Sequence, residues 1–125
     1  MKGLDIQARC ESIAIRVIKM AFQLPVNYPA QAICNQIVRS SSSVGANYRA
    51  ACRSKSRKDF INKLKIVEEE LDETIYWLQL IVNVGLVPKE KMKLLTDESN
   101  ELLAIIVSSI LTARRNERAG RDKQS

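Results

Sequence analysis

Residues 39–47 read Arg-Ser-Ser-Ser-Ser-Val-Gly-Ala-Asn, and the fold turns on whether that run is a loop or the middle of a helix. Four serines followed by a glycine punctuate most chains, and Gly45 inside a helix costs roughly 1 kcal/mol relative to alanine. The apolar spacing decides for a helix. Ile33, Ile37, Val44, Tyr48 and Ala51 keep one helical line on both sides of the run. Pro29, with its fixed φ and missing donor, suits the first helical position. Small residues at the centre let a neighbouring helix approach closely.

Working outward, a first helix is predicted over residues 4–24. Ile6, Cys10, Ile13, Val17, Met20 and Leu24 repeat at four-three spacing. Ala14, Ile18 and Ala21 form a second apolar line, with Ile15 and Phe22 on a third side. Such a helix buries one face in a bundle and leaves another in want of a partner. Pro25 stops it. After the central helix, Ser56 and Asp59 have the spacing of an N-cap with an acid in the first turn. A third helix then carries the stripe Phe60, Leu64, Val67, Leu71, Thr74, Leu78 and Ile81 to about Val84, with Gly85 as its C′ residue. Pro88 opens a fourth, striped by Leu95, Leu102, Ile106, Ile110 and Ala113. The pattern lapses near Asn116. The expectation is an all-α, up-down-up-down antiparallel four-helix bundle: one domain over 1–116 and a basic flexible C-terminal tail over 117–125.

Composition agrees. The chain has 125 residues, 46% hydrophobic and 27% charged, and its 4 Gly and 3 Pro are too few for a turn-rich β-sandwich or barrel. It contains no histidine, which removes Ser-His-Asp and Cys-His nucleophile pairs, His-ligated zinc and the Glu-x-x-His di-iron site of helical bundles. No enzyme and no cofactor are expected. Cys10, Cys34 and Cys52 are odd in number and form no C-x-x-C pair, as in reduced thiols of a cytoplasmic protein. Asp5, Arg9, Glu11 and Arg16 interrupt any N-terminal apolar run, so no signal peptide is expected.

Twenty Lys and Arg against 14 Asp and Glu give a net charge of +6. A surplus of that size suggests a polyanion such as nucleic acid, or else simply a basic, soluble surface. The basic residues cluster. Arg49, Arg53, Lys55, Arg57, Lys58, Lys63 and Lys65 are opposed only by Asp59, and Arg114, Arg115, Arg118, Arg121 and Lys123 follow near the C-terminus. In an up-down bundle the second connection lies at the same end as both termini, so the clusters should meet, with Lys2 nearby. The best candidates for phosphate contacts are Arg49, Arg53, Lys55, Arg57, Lys58, Arg114, Arg115 and Arg118. With few aromatics to spare from the core, base stacking is a poor candidate for readout. The third helix has the opposite sign: Glu68, Glu69, Glu70, Asp72 and Glu73 fall within six residues. Without histidine or a second acidic helix, Glu70 and Glu73 read as structural. They form a polar network with Arg39 or Arg49 and the amide of Asn47. Trp77, on the same face, reads as a core or interface aromatic.

Two motifs carry a family resemblance. The run of residues 39–51, from Arg39 through Asn47 and Arg49, resembles the second-helix signature of the rRNA intervening-sequence family of four-helix-bundle proteins. So does the later run Ser56-Arg-Lys-Asp-Phe60-Ile-Asn-Lys63, followed by Glu70 and Asp72-Glu-Thr-Ile-Tyr-Trp77-Leu. The resemblance covers residues 6–107. Leu71 departs from it, since the family usually places a small residue after the glutamate. The resemblance implies a small cytoplasmic bacterial bundle with no catalytic residues to carry over. Related bundles are accessory subunits of reverse transcriptases in diversity-generating retroelements, where they assemble as barrel-like homopentamers that bind nucleic acid and the polymerase. The expectation is therefore a non-enzymatic homo-oligomer, best as a pentamer, that binds RNA or DNA phosphates largely without sequence specificity. The alternative is an oligomeric protein–protein scaffold.

Overall fold

The computed structural model describes residues 3–124, and the side chains of all of these except Leu4 and residues 121–124. Four helices account for the fold: α1 (Gly3–Ala21), α2 (Tyr28–Cys52), α3 (Arg57–Asn83) and α4 (Lys89–Gln124). Short connections make sequence neighbours antiparallel. Of the four seams between neighbouring helices, α2–α3 is the most extensive and α1–α4 the thinnest.

The ends of these helices follow from local chemistry. Asn27 caps α2, its side-chain oxygen accepting from the Ala30 N–H at 3.0 Å, with Pro29 in the first turn. Ser56 caps α3 by accepting from the Asp59 N–H at 3.1 Å. At the other end of α3, Gly85 takes φ +81°, the left-handed conformation that disfavours side chains. Its N–H donates to the Val82 carbonyl and that of Leu86 to Ile81, each at 3.0 Å, the paired bonds of a Schellman cap.

The six stripe residues of α1 and its following turn are all buried, as are those of α3 except the partly exposed Phe60. α2 is continuous through its serines. Ser40 and Ser41 are fully buried, and their hydroxyls are satisfied locally by the Ile37 and Val38 carbonyls. Ser40 Oγ also lies 2.9 Å from Thr74 Oγ1, which donates to the Glu70 carbonyl. This hydroxyl pair crosses the α2–α3 seam inside an apolar core. A Cβ on Gly45 would lie 3.5 Å from Cys10 Cβ and 3.9 Å from the α1 backbone. That is ordinary contact, so the close approach accommodates a methyl group and no more. Gly45→Ala is expected to raise stability by about 1 kcal/mol through helix propensity. Gly45→Leu should lower it by about 1–3 kcal/mol through overpacking. Urea midpoints measure both, and a lowered midpoint for the alanine variant would contradict this account.

One boundary is corrected. The flexible tail expected over 117–125 is helical through Gln124; Ser125 lies outside the described residues. The backbone ladder continues on good helix formers such as Glu117, Arg118 and Ala119. At 1.5 Å per residue α4 is about 54 Å long, against about 28 Å for α1. Of the cysteines, Cys10 is buried, Cys34 half-buried and Cys52 exposed. Burial pushes the Cys10 thiol up to about 12.

Candidate nucleic-acid interface

The eight candidate basic residues are all exposed. Arg53 ends α2, Lys55 lies in the connection, and Arg57 and Lys58 begin α3. Arg57 meets the far end of α4: a Cβ on Gly120 would lie 3.7 Å from its Nη1. It also lines a groove of about 790 Å³ with Ile6, Phe60, Ala113 and Asn116. Arg114, Arg115 and Arg118 occupy the same stretch of α4. Gly3 completes this end, where an added Cβ would lie 3.6 Å from Cys52 Sγ and from the Tyr48 hydroxyl. Lys2 and the side chains of Arg121 and Lys123 lie outside the described residues. Arg49 and Arg53 face the other flank, lining a cleft between α1 and α2.

Among the described residues none of the eight has an ion-pair partner. Two sit where they oppose folding, because Arg57 and Lys58 occupy the first turn of α3, the positive end of the helix dipole.

Elsewhere the arginines are engaged. Arg39 of α2 donates from Nη1 to Glu70 Oε2 at 3.0 Å and from Nη2 to Glu73 of α3. These bonds, that to Glu73 foremost, raise the guanidinium pKa. Arg9 of α1 forms the counterpart on α4, with Nε donating to Glu98 at 2.6 Å and Nη2 lying 3.4 Å from Glu101. Each arginine thus spans two carboxylates three residues apart on a neighbouring helix. The Arg9 clamp escaped sequence reasoning, although Glu98 and Glu101 repeat the spacing of Glu70 and Glu73. Asn47 does not join the Arg39 network. It sits eight residues on, about 12 Å along the helix, and its amide donates to the Ser43 carbonyl and hydroxyl, each at 2.9 Å. Arg49 likewise stays out and opens on α1. The clamp carboxylates are partly solvated, with Glu70 20% and Glu73 34% exposed, so they are surface ion pairs and not buried charges. Trp77 is half-buried and meets Tyr76 edge to face, with centroids 5.0 Å apart. Its buried Nε1 has no hydrogen-bond partner among the described residues.

Among the described residues no group of three acidic or cysteine side chains could hold a metal ion, and no helix is long and apolar enough to cross a membrane. Helices, seams and clamps together define a four-helix-bundle protein. The chain belongs to the 23S rRNA-intervening sequence protein family, whose model matches residues 2–108. A crystal structure at 1.70 Å of a protein of unknown function from the S23 ribosomal protein family of Bacteroides thetaiotaomicron VPI-5482 is similar, with a TM-score of 0.79. It is 34% identical, over 88% of this chain and 98% of that one. No curated protein matches. Arg114, Arg115 and Arg118 lie beyond the residues that the family model covers.

Proposed function

We propose that this is a non-enzymatic, cytoplasmic, self-associating bundle whose basic end binds RNA or DNA through phosphates, mostly without regard to base sequence. The observation that carries the reading is eight exposed basic side chains gathered towards one end, none with an ion-pair partner among the described residues, two of them placed against the α3 dipole. Folding gains nothing from that arrangement, whereas a phosphate backbone does.

Self-association is supported at the opposite end. Phe22 is 79% exposed, Val26 93% and Tyr28 85%, and they adjoin Ile15 and Ile18 on the outer face of α1. Beside them a groove of about 480 Å³ runs between α1 and α2 past Cys34 and Val38. Contiguous apolar surface of this kind is uncommon on monomers. A second copy is the occupant proposed, and the family resemblance favours five. Light scattering should then report about 70 kDa, five copies of the 14.1 kDa chain. Phe22→Asp combined with Tyr28→Asp should reduce it to the single-chain mass with helicity unchanged. A wild-type monomer at micromolar concentration would refute the assembly. Salt-dependent binding of single-stranded RNA tests the ligand, and failure to bind at low salt would favour a scaffold that engages only protein, such as a reverse transcriptase.

A further inference from the structure

The cleft that holds Arg49 and Arg53 has a feature that a simple phosphate patch does not need. It is an open groove of about 540 Å³ between α1 and α2, and its lining includes Gln7, Glu11, Ser42, Gly45, Arg49 and Arg53. Opposite charges face one cleft without bonding to each other. Neither Arg49, Arg53 nor Glu11 has an ion-pair partner among the described residues. Arg49 lies in the last turn of α2 and Arg53 caps that helix one turn on, while the Glu11 carboxylate lines the cleft from α1. All three side chains are exposed, as is Ser42, whose hydroxyl is a small donor on the α2 wall. Close packing at Gly45 keeps the walls near each other, since an added Cβ there would already touch Cys10.

A ligand that satisfies both walls must carry an anion at one end and N–H donors at the other. We infer that this cleft takes one nucleotide of a single strand, its phosphate on Arg49 and Arg53 and its base edge on Glu11. This rests on the proposed function and adds to it a single base-reading position on a protein otherwise indifferent to sequence. The forked guanidinium matches phosphate oxygens. A carboxylate only accepts, so it favours a base that offers adjacent donors. Guanine does so with N1–H and the 2-amino group, and Gln7 beside Glu11 supplies a further amide. Uracil offers one imino donor flanked by carbonyls that repel the carboxylate.

The test uses short oligouridines carrying one guanosine, one inosine or neither, titrated by fluorescence anisotropy against the full chain. The guanosine strand should bind about tenfold more tightly than plain oligouridine, within the range of a two-bond base contact. Inosine, which lacks the 2-amino group, should fall between them. Glu11→Gln should erase the ranking and leave oligouridine affinity undiminished. The double variant Arg49→Gln, Arg53→Gln should weaken every strand and flatten the salt slope by about 1.4, two contacts at about 0.7 each. All three positions are exposed, so circular dichroism should be unaltered in both variants. Equal binding of all strands by the wild type, or a ranking that survives Glu11→Gln, would overturn the base-reading cleft while leaving phosphate binding intact. Absence of binding to any strand at low salt would overturn both.

Discussion

Reversing Arg53, Arg57 and Arg115 to glutamate is expected to abolish binding of single-stranded RNA. The three residues come from α2, α3 and α4 and sample the whole basic end. Each neutralised phosphate contributes about 0.7 to the salt slope, which at about 0.1 M salt is roughly fivefold in affinity. Three lost contacts therefore amount to about a hundredfold, and the new carboxylates add repulsion. Each reversal removes two positive charges, which brings the net charge of +6 to neutrality. Fold should survive, because all three side chains are exposed and lack ion-pair partners among the described residues. Glutamate in place of Arg57 would in fact suit the first turn of α3 better than arginine does. Anisotropy at several salt concentrations measures affinity and slope, while circular dichroism and light scattering monitor helix and assembly. Unchanged affinity would place the site elsewhere.

The largest stability effect is expected from Leu71→Ala. Leu71 is fully buried at the middle of α3, within the core shared by all four helices. Truncating a leucine so enclosed costs about 2–5 kcal/mol, from lost transfer energy and the cavity left behind. For a chain of this size that lowers the melting temperature by roughly 10 °C. The full penalty appears if the surrounding side chains cannot close around alanine. A drop under about 1 kcal/mol would show instead that the site collapses around alanine with little loss. Calorimetry at fixed protein concentration distinguishes these outcomes, the concentration being held because assembly shifts apparent stability.

Most of the fold is legible in the sequence because each helix has to present an apolar line every three or four residues. The stripes on α1 and α3, the Ser56 cap and the Gly85 stop follow from spacing and turn chemistry alone. Arg39 meeting Glu70 and Glu73 was also within reach, since it needs only the antiparallel order of α2 and α3. What escaped has two causes. Asn47 satisfies itself on Ser43 one turn back on its own helix, a local bond that apolar spacing does not show. Arg9 reaches Glu98 and Glu101 only because of the relative height of two helices, which hydrophobic periodicity does not encode. The extension of α4 escaped because its last turns carry no apolar stripe, and strong helix formers such as Glu117, Arg118 and Ala119 continue it by propensity. The basic end was legible as charge, but its division into a groove at Arg57 and a separate cleft at Arg49 and Arg53 depends on how the helices pack.

The hydroxyl pair between Ser40 and Thr74 settles that relative height for α2 and α3. Leucines and isoleucines are nearly interchangeable partners, so an apolar seam tolerates sliding by one turn. Two buried hydroxyls do not. Displaced by a turn, each hydroxyl would keep the carbonyl of its own helix but lose the bond across the seam and turn its spare lone pair to hydrocarbon, at a cost of about 1 kcal/mol. The pair therefore acts as a vernier, penalising every docking of the hairpin except one. Because Arg53 and Arg57 flank the connection of that hairpin, a slip of α2 against α3 would also displace the charges at the basic end. A tiny polar contact in the dry interior thus sets the geometry of a wet surface more than three helical turns away.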